Sequence, residues 1–333
     1  MVASRRRPAP LVSVVVPTFD RADLVERCLE ALAEQTYAPL EVVVVDDCSS
    51  DDTPRVLAEF AAAHPDMNLR SLRNERQQGA NPSRNRGIEA SGGDLIAFED
   101  DDCIAEPDWI EHLVDGFVND RVGAVTGLVE DPTPRNIYDL AFRGTHRVYG
   151  KVHATRLVAC NMCVRRDLLE GALDEDRAEV SADNTVSGRG DEEGLVIKLR
   201  REGWEMRVAP RARVLHLHYY TRRSFFRQAW RGGRSAARVG LKYRLRLRPE
   251  FVCLALGYVW SFAALRWPWA WLPSLVCFSL FVGATLVYNE IWRKGKTPGQ
   301  ALRIAPIMTL YYHVRAFGYF GEYARALLGG AKP

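Results

Sequence analysis

The chain has 333 residues, 45 basic against 42 acidic, a formal net charge of +3 and 47% hydrophobic content. That length and apolar share exclude a disordered chain and leave room for one large or two moderate domains with real cores. The near balance of charge excludes bulk nucleic-acid binding, but arginine is concentrated between Arg200 and Arg248, just ahead of the most apolar part of the chain, as a collar facing phosphates or lipid headgroups would be.

Residues 1–10 form a basic tail. The apolar run behind it is too short, and too soon broken by Pro17, for a signal peptide, so the domain that starts there is expected to stay in the cytoplasm. From Leu11 short apolar runs alternate with helical stretches. LVSVVVP and LEVVVVDD read as strands buried on both faces, which belong in a parallel sheet covered by helices. Between them RADLVERCLEALAEQ places Leu24, Cys28, Leu29 and Leu32 on one helical face. SSDDTPRVLAEFAAA gives a second helix with Pro54 in its first turn, and NPSRNRGIEAS a third ahead of the strand GDLIAFED. This alternation is a nucleotide-binding type of α/β sheet, with ligands expected at the carboxyl ends of its strands.

Those ends are polar and mostly acidic. Pro17, Thr18, Phe19 and Asp20 end the first strand, Asp46 and Asp47 another, and Glu99 to Asp102 a third. A solvated loop explains one acidic end; acid at several ends that should be neighbours points to a shared polyvalent cation or a donor-rich ligand. Asp100 and Asp102 have the D-x-D spacing that holds one Mg2+ or Mn2+, with the metal's remaining positions suited to diphosphate oxygens. Upstream, Arg84 supplies a guanidinium for phosphate and Asn85 an amide for a base or ribose. There is no Walker lysine motif and no G-x-G-x-x-G, so neither a P-loop NTPase nor a dinucleotide oxidoreductase is indicated.

Beyond Leu128 the regularity weakens into loops and a short helix. LVACNMCVRRDLLEGAL then reads as strand, turn and short helix, GDEEGLVIKLRREGW as a helix starting near Gly190, and EMRVAP and RVLHLHY as two strands. The seven cysteines are scattered and imply no disulfide framework. Cys160 and Cys163 have the spacing of half a zinc site, but no second pair follows, and they read as buried thiols. From Phe251 two apolar stretches of roughly 15 and 22 residues suggest a hairpin, of which the second alone is long enough to cross a bilayer. Basic flanks put both of its ends in the cytoplasm, with Trp267, Trp269 and Trp271 at an interface; two buried helices of a soluble core are the alternative. The last segment, ALRIAPIMTLYYHVRAFGYFGEYARALL, reads as an interfacial amphipathic helix.

In order along the chain, several segments resemble the family 2 glycosyltransferases of the GT-A fold, inverting enzymes that use nucleotide-activated sugars. The resemblance runs from Val12 to Arg231. VSVVVPTFDR looks like the opening strand and nucleotide-binding loop, which implies donor contacts from Pro17, Thr18 and Asp20. VVVVDDCSSDDT is similar to the D-D-x-S-x-D-x-T segment and puts Asp46 near the base. GANPSRNRGIEASGGDLIAFEDDDC resembles G-x-x-x-A-R-N-x-G followed by the metal triplet, with Ser83 in the usual alanine position and Glu99 in place of an apolar residue. By this likeness Arg84, Asn85, Asp100 and Asp101 bind the nucleotide sugar, and Asp102 and Asp100 the metal. ACNMCVRRDLLE looks like the acceptor-side segment, with Asn161 and Arg165 matching. In GDEEGLVIKLRREG the family's E-D pair is swapped, which makes Asp191 or Glu192 the base that takes the acceptor proton. FFRQAWRGG matches a Q-x-x-R-W element at Gln228 and Arg231 but has Gly232 for the tryptophan, against a processive polymerase. His216 is either a third metal ligand or a structural histidine.

The expected architecture is a GT-A domain over residues 11–240, with a nucleotide and metal half at 11–130 and an acceptor half at 131–240, then a membrane-associated helical region at 241–333. The expected activity is inverting transfer of a sugar from a UDP- or GDP-linked donor, with Mn2+ or Mg2+, to a lipid-linked or cell-envelope polysaccharide acceptor at the cytoplasmic face of the cell membrane. A metal-dependent nucleotidyltransferase acting on a sugar phosphate, and a membrane-tethered binding module, are the alternatives.

Overall fold

The computed structural model describes residues 9–144, 154, 156–169 and 191–328, with the backbone alone at Asp191 and Glu192. The chain divides into two compact units, Met1–Pro132 with Val148–His218, and Thr133–Arg147 with Tyr219–Pro333.

In the first unit the described residues build an eight-stranded, mixed sheet. Its strands are β1 (Val12–Thr18), β2 (Leu40–Asp46), β3 (Leu69–Arg73), β4 (Leu95–Phe98), β5 (Cys103–Ala105), β6 (Val122–Glu130), β7 (Met162–Arg165) and β8 (Glu205–His216), in the order β3-β2-β1-β4-β7-β6-β8-β5. β1, β2, β3 and β4 are parallel neighbours; β7 is antiparallel to β4 and β6; β8 is parallel to β6 and antiparallel to β5. All of β1 is buried, so helices cover both faces of the sheet there, as its continuous valine run predicts. Each fully buried valine contributes roughly 1.5–3 kcal/mol.

Helices α1 (Ala22–Ala33), α2 (Thr53–Ala63), α3 (Ala80–Ala90) and α4 (Trp109–Asp115) belong to this unit. α1 buries Val25, Cys28, Leu29, Ala31 and Leu32; of the face read from the sequence, Leu24 is only half-buried and Val25 takes its place in the core. α3 lies close on β1 because Gly87 has no side chain: a Cβ there would strike Val15. The two strands expected at 205–220 are one, β8. Its register against β6 shifts between Val208 and Arg213, and the irregularity takes up Pro210, which has no N–H to give a ladder.

The second unit is helical: α5 (Ile137–Phe142), α7 (Arg222–Lys242), α8 (Pro249–Ala264), α9 (Trp271–Val282) running on into a π-helix at Gly283–Arg293, and α10 (Pro298–Leu328); α6 (Asp191–Arg201) lies in the first unit. α10 buries Ile304, Met308, Tyr311, Ala316 and Tyr319 within this unit and packs along α7. The approach is close because Gly233 of α7 sits over the Arg315 carbonyl, where a Cβ would collide with backbone. α8 and α9 pack against each other as the expected hairpin, but their apolar side chains largely face outward: Phe262 is 72%, Leu265 84% and Val276 57% exposed. That exposure removes the reading as two buried core helices. Pro268–Arg293, 26 residues whose most apolar 18-residue stretch has a mean hydropathy of 1.9, is long and apolar enough to cross a membrane; α8, at 16 residues, is shorter than a span requires.

Candidate active site

The site is built at the carboxyl ends of β1, β2 and β4. Register places Thr18 of β1 beside Asp46 of β2, and the Asp47 N–H donates to the Thr18 carbonyl (2.8 Å). Asp46 is buried and accepts from the Ser49 N–H (2.8 Å) and from the Arg73 guanidinium. Asp47, also buried, takes the Asn74 side-chain amide (2.7 Å) and the backbone N–H groups of Gln78 (2.9 Å) and Gly79 (2.6 Å), fixing the turn that starts α3. Asp20 adopts a left-handed backbone (φ 49°) and accepts from the Ser50 N–H (2.6 Å), which ties the loop after β1 to the loop after β2. Pro17 lies inside β1, and Thr18 Oγ1 is buried without a hydrogen-bond partner.

Beyond β4 come the four acids. Glu99 is fully buried and neither of its oxygens has a hydrogen-bond partner. Burial pushes its carboxyl well above the ordinary range, so it is held protonated, and this is how an acid occupies a position otherwise suited to an apolar residue. Asp100 is partly exposed and accepts from Arg84 Nη2 (2.6 Å); Arg84, itself buried, also donates to Asn81 (3.1 Å). Asn85 follows it on α3, half-buried.

Asp101 and Asp102 are buried and share one cation. Arg21 Nη1 donates to Asp101 Oδ1 (2.7 Å) and to Asp102 Oδ2 (2.9 Å). The second side of Asp102 faces two imidazoles delivered by β8. Antiparallel pairing sets His216 opposite Cys103, and the Leu217 N–H donates to the Asp102 carbonyl (2.7 Å). His216 Nε2 then lies 3.1 Å from Asp102 Oδ1 and His218 Nδ1 3.3 Å from Oδ2. The rings stack at 5.5 Å. Burial raises the Asp101 carboxyl, to about 6, against the opposing pull of Arg21 and with the neighbouring Asp102 charge adding to the rise. Burial would raise Asp102 too, but His216 first, then His218 and Arg21, hold it well below the ordinary carboxylate range. Burial lowers His216, and Asp102 more than reverses this, raising it to about 10.

Asp102, His216 and His218 fit a divalent cation. Their ligand atoms lie within 4.8 Å of one another, and Asp102 Oδ1 is buried facing His216 Nε2 at 3.1 Å. One carboxylate and two imidazoles suit Mn2+, and soften the site relative to an all-oxygen Mg2+ site. Among the described residues Asp100, expected as the second carboxylate ligand, is not in this cluster, because Arg84 holds it. His218 was not read as a ligand from sequence. The signal was there: two histidines two residues apart at the end of a strand project to one side. Arg21 had no such signal, since its partners are 80 and 81 residues away.

The remaining expected site residues fall elsewhere. Asn161 is fully buried; its amide donates to the carbonyls of Leu128 (2.9 Å) and Ala212 (3.0 Å), and its oxygen accepts from the Trp109 indole (2.8 Å). It clasps the sheet. Arg165 donates from Nε to the Val122 carbonyl (2.8 Å). Gln228 and Arg231 lie on α7 in the second unit. Asp191 and Glu192 are the first two residues of α6, and their side chains lie outside the described residues.

A mixed, mostly parallel sheet with acid at its carboxyl ends and a carboxylate–imidazole cluster beside them is the GT-A type of glycosyltransferase fold. The fold is similar to that of the mannosyltransferase PcManGT from Pyrobaculum calidifontis, solved in complex with GDP-Man and Mn2+, with a TM-score of 0.57 at 20% identity, covering 97% of this chain and 88% of that one. Residues 13–170 match the profile of glycosyl transferase family 2. Over 127 residues the chain is 39% identical to glycosyltransferase AglE of Haloferax volcanii, an alignment covering 38% of this chain and 41% of that protein. Over 118 residues it is 39% identical to glucosyl-dolichyl phosphate glucuronosyltransferase of the same organism, covering 35% and 37%. The match thus spans about two fifths of the length of these curated relatives. Residues 13–170 thus carry the likeness to glycosyl transferase family 2.

Proposed function

We propose that this protein transfers a sugar, with inversion, from a nucleoside diphosphate sugar to a hydroxyl acceptor that is lipid-linked or part of a cell-envelope glycan, at the cytoplasmic face of the cell membrane. The observation that carries the reading is the buried Asp102 flanked by His216 and His218, three ligand atoms within 4.8 Å of one another, beside the strand ends where a GT-A fold receives its donor. Asp102, His216 and His218 would hold Mn2+ or Mg2+, which when bound supplies charge neutralisation to a departing diphosphate.

The chain's own residues do the rest. Asp46 and the Asp20 loop shape the nucleotide end of the cleft, with Arg84 and Asp100 at the phosphate end. Asp191 or Glu192, at the start of α6, takes the proton of the acceptor hydroxyl as it attacks the anomeric carbon opposite the leaving group, and a single displacement inverts configuration. Gln228 and Arg231 of α7 add donor contacts.

The acceptor class is supported by two features. A relative acts on a glucosyl-dolichyl phosphate, as its name states, and the second unit of this chain exposes an apolar hairpin with a segment long enough to span a bilayer. Thermal shift across UDP- and GDP-sugars, with and without Mn2+, tests the donor reading: one nucleotide sugar is expected to raise the melting temperature in Mn2+ and to lose most of that effect in Asp102→Asn. Stabilisation that is equal with and without metal, in both proteins, would remove Asp102 from the donor site.

A further inference from the structure

Arg21 is not used by the function as stated, and its geometry is unlike that of a structural ion pair. It caps the start of α1, where its backbone is fixed: its N–H donates to Thr53 Oγ1 (3.2 Å) and its carbonyl accepts from the N–H groups of Leu24 (3.1 Å) and Val25 (3.0 Å). Its side chain is committed through a single nitrogen. Nη1 serves both Asp101 and Asp102, while Nε and Nη2 make no hydrogen bond to the described residues, and the side chain is 37% exposed. A guanidinium placed only to hold two carboxylates would present its two-pronged edge to them. Here that edge is left over.

The oxygen that Arg21 takes on Asp102, Oδ2, belongs to the same carboxylate whose buried Oδ1 faces His216 Nε2 at 3.1 Å. A dication on that carboxylate would repel the guanidinium a few ångströms away in low-dielectric protein. Asp101 gives the guanidinium a second anchor, so it can leave Asp102 by side-chain rotation alone, with the backbone of α1 unmoved.

Resting on the glycosyltransferase reading, we propose that Arg21 and a divalent cation exchange at Asp102: the guanidinium holds the carboxylate until the metal arrives, then turns its uncommitted nitrogens to the diphosphate of the donor. Metal and nucleotide thereby bind with positive coupling. The metal frees the arginine that the phosphates need, and the phosphates stabilise the arginine in its displaced position.

The test titrates Mn2+ into the full chain by electron paramagnetic resonance of the free ion, alone and with saturating UDP or GDP, for the parent, Arg21→Gln, Arg21→Lys and Asp102→Asn. In Arg21→Gln, Mn2+ alone is expected to bind on the order of tenfold more tightly, because the competing charge is gone, and UDP or GDP in Mn2+ on the order of tenfold more weakly. The tightening of Mn2+ by nucleotide expected in the parent should largely vanish. Arg21→Lys keeps the charge and should hold Mn2+ affinity near the parent's, so it carries the test should the glutamine variant not fold. Mn2+ bound no more tightly by Arg21→Gln, or nucleotide coupling unchanged in it, overturns the exchange. Asp102→Asn separates the two levels: Mn2+ binding unaltered in that variant defeats the metal-site reading itself, whereas loss there with Arg21→Gln unchanged defeats only the role of Arg21.

Discussion

Asp47 organises the backbone at the carboxyl end of β2. Its carboxylate accepts three donors, the Asn74 amide and the N–H groups of Gln78 and Gly79, and so fixes the turn that aims Arg84 at Asp100. Removing it leaves buried donors unsatisfied, each costing about 1–3 kcal/mol. Asp47→Ala is therefore expected to lower unfolding free energy by roughly 2–4 kcal/mol in urea titration. A variant as stable as the parent would mean that the turn does not depend on this carboxylate. The sequence made the acid at this strand end conspicuous but could not tell which acid was structural: Asp46 and Asp47 are adjacent, and only the direction of each side chain separates their partners. Glu99 is a similar case. An acid among three aspartates looks like part of a charged cluster, yet burial holds it neutral and leaves it on the core side of the turn.

At the scale of elements, β1 and β2 were legible because a strand buried on both faces is a run of valines with no other good explanation. β3 was not, since LRSLR is short, polar and largely exposed at the edge of the sheet. β5 has three residues, too few for any periodicity, and it is what brings Asp102 to His216. Pro210 made β8 look like two strands, because a proline inside a run ordinarily ends it and the bulge that absorbs it is a tertiary feature. In the helical unit the pairing of α7 with α10 is held partly by Glu322, which accepts from Arg234 Nε (2.7 Å) and Arg238 Nε (2.8 Å). Burial alone would raise the Glu322 carboxyl, but Arg238 and Arg234 outweigh it and bring it below the ordinary range. A folded-state value below the unfolded one means that its contribution is present above the unfolded value, near 4.3, and is lost as pH falls through the folded one. Thermal unfolding of Glu322→Gln should accordingly show a weaker loss of stability on acidification than the parent; an identical acid limb would show that the pair does not stabilise the folded state.

For the molecule as a whole, the sequence announced an α/β sheet followed by an apolar helical region, and it put Thr18, Asp46 and the acids after Phe98 at strand ends, where they lie. What it could not supply was the candidate metal cluster, because that cluster joins Asp102 to residues 114 and 116 positions later, a distance across which no local pattern carries information. The central claim is that this cluster serves the release of a nucleoside diphosphate from a sugar donor. It is tested most directly by supplying the full chain, in detergent or vesicles, with the nucleotide sugar that stabilises it, and measuring the phosphorus-containing product by chromatography. Nucleoside diphosphate formed in step with glycosylated acceptor, abolished by chelation and by Asp102→Asn, is the result predicted; pyrophosphate as the product, or undiminished turnover in chelator, would contradict it.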